Sequence, residues 1–535
     1  MQLRLQPQLL CVLVTLPFLC LNVSSSDGNH PLKREASDHL TLTVNSMTSL
    51  QQAIDIASSL GNTAAYTKIQ IPPGNHLLTA PTLFRGEINE IEMTGAGGGE
   101  VRLLCNYSVG SNNYTWYFAG LQSVMLTGIG FEDCARPLRL DTVAEVTIQD
   151  CSFRMFTEAA LDIFNCHHVL FNHSLLQDNS GTGIVNASYR GNTGGVSFGY
   201  NTLPVNFSSP SLLVTDCVFR NNSARATSAF RTSSQAFFAQ IFTGRGGSLA
   251  LFVNESHYDL DVTIRNCIFT ENTARSFGGG VYLLLGGFGT SHRVVVERAR
   301  VISNVAQLGG GGFQASFFNN GPEDAPLMMR FDDCRFENNS GIAGGGIFVF
   351  TSTDGGVGNL VQIRSTLFTG NRGYTGGPGD YGAAVALSLL NPLVERSNFP
   401  RHEITDCEFH NNSGANGVVS VGYSPTNFTG RNVFSGNKGT SLRVVGAIIY
   451  LSGELHFTNN FATSGDESAL HMLSFAQAIL SRGLFVNFEG NSGRFGTSIT
   501  IEATTTSTVY TQLAGTPSVP FFTKTSALSL RTGPT

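Results

Sequence analysis

The chain has 535 residues, of which 41% are hydrophobic but only 13% charged, and its formal net charge is -6. So low a charge density, with 60 glycines, suits strands and turns better than helices. The charge balance gives no basic stripe for nucleic acid and no acidic tail. Residues 1–26 are expected to be a secretory signal peptide. Arg4 lies in a short polar start, Leu9 to Leu21 is an apolar run, and small residues follow at Ser24–Ser26. That run is too short for a membrane span, and no later segment offers ~20 uninterrupted apolar residues. Cleavage would remove Cys11 and Cys20.

Residues 27–45 read as a polar leader, in which the dibasic Lys33-Arg34 is an exposed charged linker. Leu50, Ala53, Ile54 and Ala57, spaced by three and four, predict a helix over about 49–60 that ends near Gly61. The strand-like Thr67–Ile71 follows, then the turn Pro72-Pro-Gly74.

From there the chain repeats a phrase, Cys-x-Phe-x-x-Asn, usually followed by glycines. It reads Cys217-Val-Phe219-Arg-Asn-Asn222, Cys267-Ile-Phe269-Thr-Glu-Asn272, Cys334-Arg-Phe336-Glu-Asn-Asn339 and Cys407-Glu-Phe409-His-Asn-Asn412. Looser copies include Val301–Asn304, Phe368–Asn371, Phe434–Asn437, Phe457–Asn460 and Phe488–Asn491. Phe131 and Phe153 are 22 residues apart, Phe434 and Phe457 are 23, and Phe269 and Ile302 are 33. A minimal coil with variable additions predicts a solenoid whose insertions form flanking loops, as at Tyr189–Pro210, Ser223–Gly247 and Gly373–Arg401. Coils stacked about 4.8 Å apart let equivalent Phe rings pile up and equivalent Asn side chains hydrogen-bond from coil to coil. The expected ladder comprises Phe219, Asn222, Phe269, Asn272, Phe336, Asn339, Phe368, Asn371, Phe409, Asn412, Phe434 and Asn437. Gly278-Gly-Gly280 allows positive φ and close approach between coils.

Cys151, Cys217, Cys267, Cys334 and Cys407 share one inward slot, as small apolar core residues. Cys134–Cys151 and Cys151–Cys166 are the nearest candidate disulfides in sequence, and the choice between them is open. Asn-x-Ser/Thr sequons at Asn106, Asn113, Asn172, Asn186, Asn206, Asn221, Asn254, Asn338, Asn411 and Asn427 are candidate glycosylation sites. Asn221, Asn338 and Asn411 each precede the repeat's own Asn, so strand alternation turns them outward.

The helix followed by Ile-Gln-Ile-Pro-Pro-Gly resembles the opening of pectin-lyase-like proteins. That resemblance implies an all-β chain, a single right-handed parallel β-helix over 46–501, closed at its N-terminal end by a capping helix. The Phe-x-x-Asn and Gly-Gly-aliphatic phrases over roughly Ile129–Ile501 also resemble repeats of bacterial polymorphic outer-membrane proteins and of uncharacterised eukaryotic extracellular β-helix proteins. The chain departs from the bacterial family in lacking a recognisable C-terminal membrane barrel. Residues 502–535 form a Thr/Ser-rich tail expected to be disordered.

The fold also hosts polysaccharide lyases and hydrolases. Neither a Gly-His-Gly nor an Arg-x-Lys is present, and Asp332-Asp333 is the one Asp-Asp pair. Asp333 occupies a turn position shared with Asp150, Asp216 and Asp406, which argues for a structural turn rather than general acid–base work. His167-His168 beside Cys166 shows no convergent metal-ligand spacing, because adjacent strand residues face opposite ways. No catalytic residue, metal ligand or cofactor is therefore assigned. The expectation is a secreted, extracellular or cell-surface glycoprotein acting in adhesion or recognition of glycans, matrix or cell-surface proteins. The alternative is a polysaccharide lyase or glycoside hydrolase of the same fold.

Overall fold

A computed structural model describes residues 20–22, 39–44, 47–60, 66–85, 90–97, 99–105, 114–136, 138–181, 193–200, 209–225, 244–256, 258–287, 291–319, 327–353, 359–374, 382–389, 401–414, 417–462, 469–473, 476–481, 483–492, 499–503 and 529–532. They form a parallel β-helix. One central rung runs through Leu260–Arg265, Ile268–Thr270, Thr273–Ala274 and Val281–Gly287. Stacking equivalent strands of successive rungs makes four sheets, here A, B, D and C in that order around the coil, with 16, 14, 7 and 15 strands. Crossovers between parallel strands take the right-handed sense.

The helix Met47–Leu60 buries Leu50, Ala53, Ile54 and Ala57 against the first strands of the coil, including Gly74–Leu78 and Thr82–Arg85. Without it the first rung would expose its apolar interior. The β-helix starts earlier than the polar leader suggested: His39–Thr43 pairs in parallel with Tyr66–Ile71. Its Leu40 and Leu42 alternate inward, a two-residue period too short to stand out between charged neighbours. Cys20–Asn22, inside the segment read as signal peptide, adds an antiparallel strand to His39–Thr43. At the other end Ser529–Thr532 pairs with Ile499–Ala503, so the Thr/Ser-rich tail contributes a strand.

Inside the coil the repeat's aromatic residues stack. Phe336, Phe368, Phe409, Phe434, Phe457 and Phe488 form one pile with centroids 4.7–5.2 Å apart and rings within 12° of parallel. Phe219 and Phe269 stack likewise at 4.7 Å. In the intervening rung Val301, not Ile302, sits opposite Phe269 and Phe336. Beside the pile runs a continuous ladder from Asn179 through Asn222, Asn272, Asn304, Asn339, Asn371, Asn412, Asn437 and Asn460 to Asn491. Each Nδ2 donates to the next Oδ1 at 2.8–3.2 Å. Each Nδ2 also donates to a carbonyl of the preceding rung, as Asn272 does to Phe219 O at 3.0 Å. A buried amide is tolerable when satisfied this way, and the ladder repeats the solution rung by rung.

The corners explain the other regular residues. Asp150, Asp216, Asp333 and Asp406 all turn the chain from sheet A to sheet B with φ of 51–55°, a left-handed conformation that Asp and Asn tolerate. Gly278 has φ of 65°. Its neighbour Gly279 is required for space instead, since a Cβ there would strike the Gly311 carbonyl oxygen of the next rung.

Sheet A carries a buried titratable group. His402 accepts a hydrogen bond at Nδ1 from Val361 N–H at 3.2 Å, and burial pushes its pKa down from 6.5 to about 4. Between those values the unfolded chain takes up a proton that the folded chain excludes, so stability falls as pH drops from 6.5 towards 4. The full loss is about 3 kcal/mol, at about 1.4 kcal/mol per pKa unit. Urea unfolding at several pH values is expected to show this slope in the wild type and a shallower one in His402→Asn. Identical slopes would exclude the assignment.

Candidate functional site

Sheet C presents two outward rows. In register, the first runs Tyr117, Arg139, Asp162, Ser197, Ala250, Tyr282, Gln314, Phe348. Two residues further along the strands, the second runs Ala119, Asp141, Phe164, Gly199, Phe252, Leu284, Ser316, Phe350. Inward neighbours such as Phe118, Leu140 and Ile163 are locked in the core, so the outward side chains stand on a rigid floor.

The strands Trp116–Ala119, Leu138–Asp141 and Leu161–Phe164 carry a polar and aromatic constellation on that floor. Tyr117 Oη donates to Asp141 Oδ2 at 3.0 Å, Arg139 Nη2 donates to the same oxygen at 3.0 Å, and Thr142 Oγ1 donates to Oδ1 at 3.0 Å. The Arg139 guanidinium lies 5.0 Å from the centre of the Tyr117 ring, and Tyr114 packs on that ring at 5.0 Å. Burial pushes the Tyr117 hydroxyl above its ordinary pKa, with the Asp141 charge adding to it. Burial works against the Arg139 charge, but Asp162 on the neighbouring rung and the bond to Asp141 outweigh it and raise its pKa. Phe164 stands beside Asp141 and leans over Gly199, where a Cβ would come within 2.7 Å of its ring. The result is an aromatic face, a fixed guanidinium and two carboxylates on one half-buried surface.

Further along, the same face closes. Ala250, Phe252, Tyr282, Gln314, Ser316 and Phe348 are outward yet buried. Arg245, from the corner ahead of Leu249–Ser256, lies 5.0 Å from the Tyr282 ring and 5.7 Å from Phe277. Gln314 Oε1 accepts from Gly310 N–H at 2.9 Å. The closed stretch bounds the Tyr117–Asp162 surface on one side.

Of the sequon residues, Asn221, Asn338 and Asn411 sit at exposed left-handed corners after sheet B strands, with φ of 50–54°. Asn221 Nδ2 donates to Asp178 Oδ1 at 2.6 Å. Asn172 and Asn427 are half-buried on sheet A. Asn254 lies on Leu249–Ser256, with its side chain outside the described residues, as are Asn106, Asn113, Asn186 and Asn206 entirely. The expected insertions are likewise only partly described. Val196–Tyr200 and Val385–Leu389 within them are sheet C strands rather than loop, because their inward–outward alternation is short and set among glycines.

His167 and His168 do not face opposite ways: their rings lie 3.9 Å apart, because His167 belongs to the corner ahead of the strand His168–Asn172. His168 Nδ1 is 2.8 Å from Ser211 Oγ. Among the described residues no three His, Cys, Asp or Glu side chains form a group able to hold a metal. Neither candidate disulfide forms. Cys105 and Cys134 are joined instead, with Cα atoms 5.0 Å apart, because Val101–Cys105 pairs with Ile129–Glu132 and brings the ends of those strands together. The free thiols of Cys151, Cys166, Cys334 and Cys407 are buried, which pushes their pKa values up to about 12 and leaves them inert near neutrality.

Fold and surface together define the class: a parallel β-helix whose outward sheet C floor bears a polar–aromatic constellation. No family model matches the chain, and no curated protein matches it. Among solved structures, the crystal structure of bacteriophage CBA120 tailspike protein 3 is similar, at 11% sequence identity and a TM-score of 0.27, over 85% of this chain. The match spans 58% of that tailspike chain, a little over half its length. Among the described residues no helix is long and apolar enough to cross a membrane.

Proposed function

We propose that the protein is a secreted or cell-surface glycoprotein that recognises glycans on the outward face of sheet C, at the rungs of Tyr117, Arg139 and Asp162. The observation that carries this reading is the constellation itself. Sugars are gripped by an aromatic face together with a few fixed polar groups, and here both stand on strands whose other face is core. The apolar run after Arg4, the Cys105–Cys134 disulfide and the exposed sequon residues Asn221, Asn338 and Asn411 agree with an oxidising, extracellular setting. On this reading residues 1–26 are removed, the coil that begins at His39 acts as the binding scaffold, and matrix or cell-surface glycoproteins are the natural partners. Kinship with pectin-lyase-like proteins and with polymorphic outer-membrane repeats belongs to the same proposal.

One observation favours a second reading, a polysaccharide hydrolase. Asp141 and Asp162 share a face on adjacent rungs, with Cα positions about 8 Å apart from strand spacing and rise. Paired carboxylates are the working groups of most glycosidases. Asp141, however, accepts hydrogen bonds from Tyr117, Arg139 and Thr142, which suits a binding anchor. A glycan array and a reducing-end and unsaturated-uronate assay on the same polysaccharides separate the readings. Binding without turnover is expected. Turnover abolished by Asp162→Asn would replace recognition with catalysis, and neither binding nor turnover would remove both.

A further inference from the structure

Within this acidic chain, sheet B carries two exposed arginines side by side. Arg300 and Arg335 point outward at the same position of adjacent rungs, directly in register and both exposed. Strand spacing places their Cα atoms about 4.8 Å apart. Like charges directly opposite each other in a sheet destabilise it. Elsewhere the chain neutralises such positions from a neighbouring rung: Arg265 pairs with Glu297 at 2.8 Å, Arg293 with Asp261 at 3.3 Å and Arg364 with Glu403 at 2.9 Å. Among the described residues Arg300 and Arg335 form no ion pair. Asp333 and Glu337 lie on the rung of Arg335, yet neither pairs with it. Arg298, at the preceding corner, donates its Nε–H to Asn266 Oδ1 at 2.7 Å, and its charge acts on Glu297 and Asp216. Arg372, in register with Ser340 on sheet D, is also exposed.

We propose that this face binds an acidic polysaccharide, with a carboxylate or sulfate group bridging the Arg300 and Arg335 guanidinia. Planar guanidinium forks match such oxyanions with two hydrogen bonds each, and two in register present four donors to one group or one each to neighbouring groups. Of the flanking outward residues, Ile268, Ile302 and Leu367 are aliphatic, and Glu337 beside Arg335 is acidic. Bases of a single-stranded nucleic acid would need aromatic platforms, which the described residues of this stretch do not provide. The face is separate from the sheet C surface and does not depend on the function proposed for it.

The test uses the 535-residue chain on surfaces of heparin, polygalacturonate and single-stranded DNA. Binding to heparin or polygalacturonate is expected, weakening in high salt. In Arg300→Ser/Arg335→Ser, with an unchanged melting curve, that binding should fall about tenfold or more. Binding to heparin alone assigns sulfate, and binding to polygalacturonate assigns carboxylate. Met125→Ala/Thr147→Ala, on the outward face of sheet A, should bind these surfaces like the wild type. Binding to neither polysaccharide, undiminished binding by the arginine variant, loss in the sheet A variant or equal retention on DNA would each overturn the proposal.

Discussion

Replacing Phe336 by alanine is expected to destabilise the chain by about 3–5 kcal/mol, the range for removing a buried phenylalanine. Phe336 is fully buried, stacks on Phe368 at 5.2 Å and meets Phe331 edge-on at 6.0 Å. The strands above and below are held by backbone bonds at fixed spacing, so the cavity has little freedom to collapse. Because each rung touches its neighbours alone, the loss falls on two interfaces and should speed local opening there first. Urea unfolding together with amide exchange of Val301, Phe336 and Phe368 measures both effects. A midpoint and exchange rates close to wild type would rule out the stacked core.

Asn339 is expected to matter comparably, for a different reason. Its Oδ1 accepts from Asn304 N–H and Asn304 Nδ2 at 3.0 Å, while its Nδ2 donates to Val301 O at 2.7 Å and Asn371 Oδ1 at 3.0 Å. Truncation to alanine strands several buried polar groups, at about 1–3 kcal/mol each, so a total on the order of 4 kcal/mol is expected. Asn339→Leu separates hydrogen bonding from packing, since it keeps the volume and lacks every polar atom. If the ladder acts through its bonds, leucine should destabilise as much as alanine, and the Asn304 amide should exchange faster in both. Leucine at wild-type stability would show the column to be a packing device.

The scaffold was legible because its residues recur. A Phe must stack on a Phe and an Asn must satisfy an Asn, so the same types return once per coil at Phe336, Phe368 and Phe409, and at Asn339, Asn371 and Asn412. The corner aspartates could be read for the same reason. What occurs once was hidden. Cys105 and Cys134 lie 29 residues apart, and register rather than sequence proximity joins them. Tyr117, Arg139 and Asp162 look like ordinary polar positions of three strands until register aligns them. Their spacings of 22 and 23 residues equal the minimal coil, a signal that could have found them from sequence alone. Arg300 and Arg335 escaped because charge was summed over the chain, whereas a surface field is local.

If repetition builds the scaffold and sheet C does the work, altering different outward faces must have unequal consequences. The direct measurement is one glycan array probed in parallel with wild type, Tyr117→Ala/Phe164→Ala on sheet C and Met125→Ala/Thr147→Ala on the outward face of sheet A. Met125 and Thr147 are register neighbours on a face that carries none of the Tyr117 constellation. The account predicts that the sheet C variant loses the wild-type glycan signal while the sheet A variant keeps it. Equal signals from all three proteins, or loss confined to the sheet A variant, would contradict it.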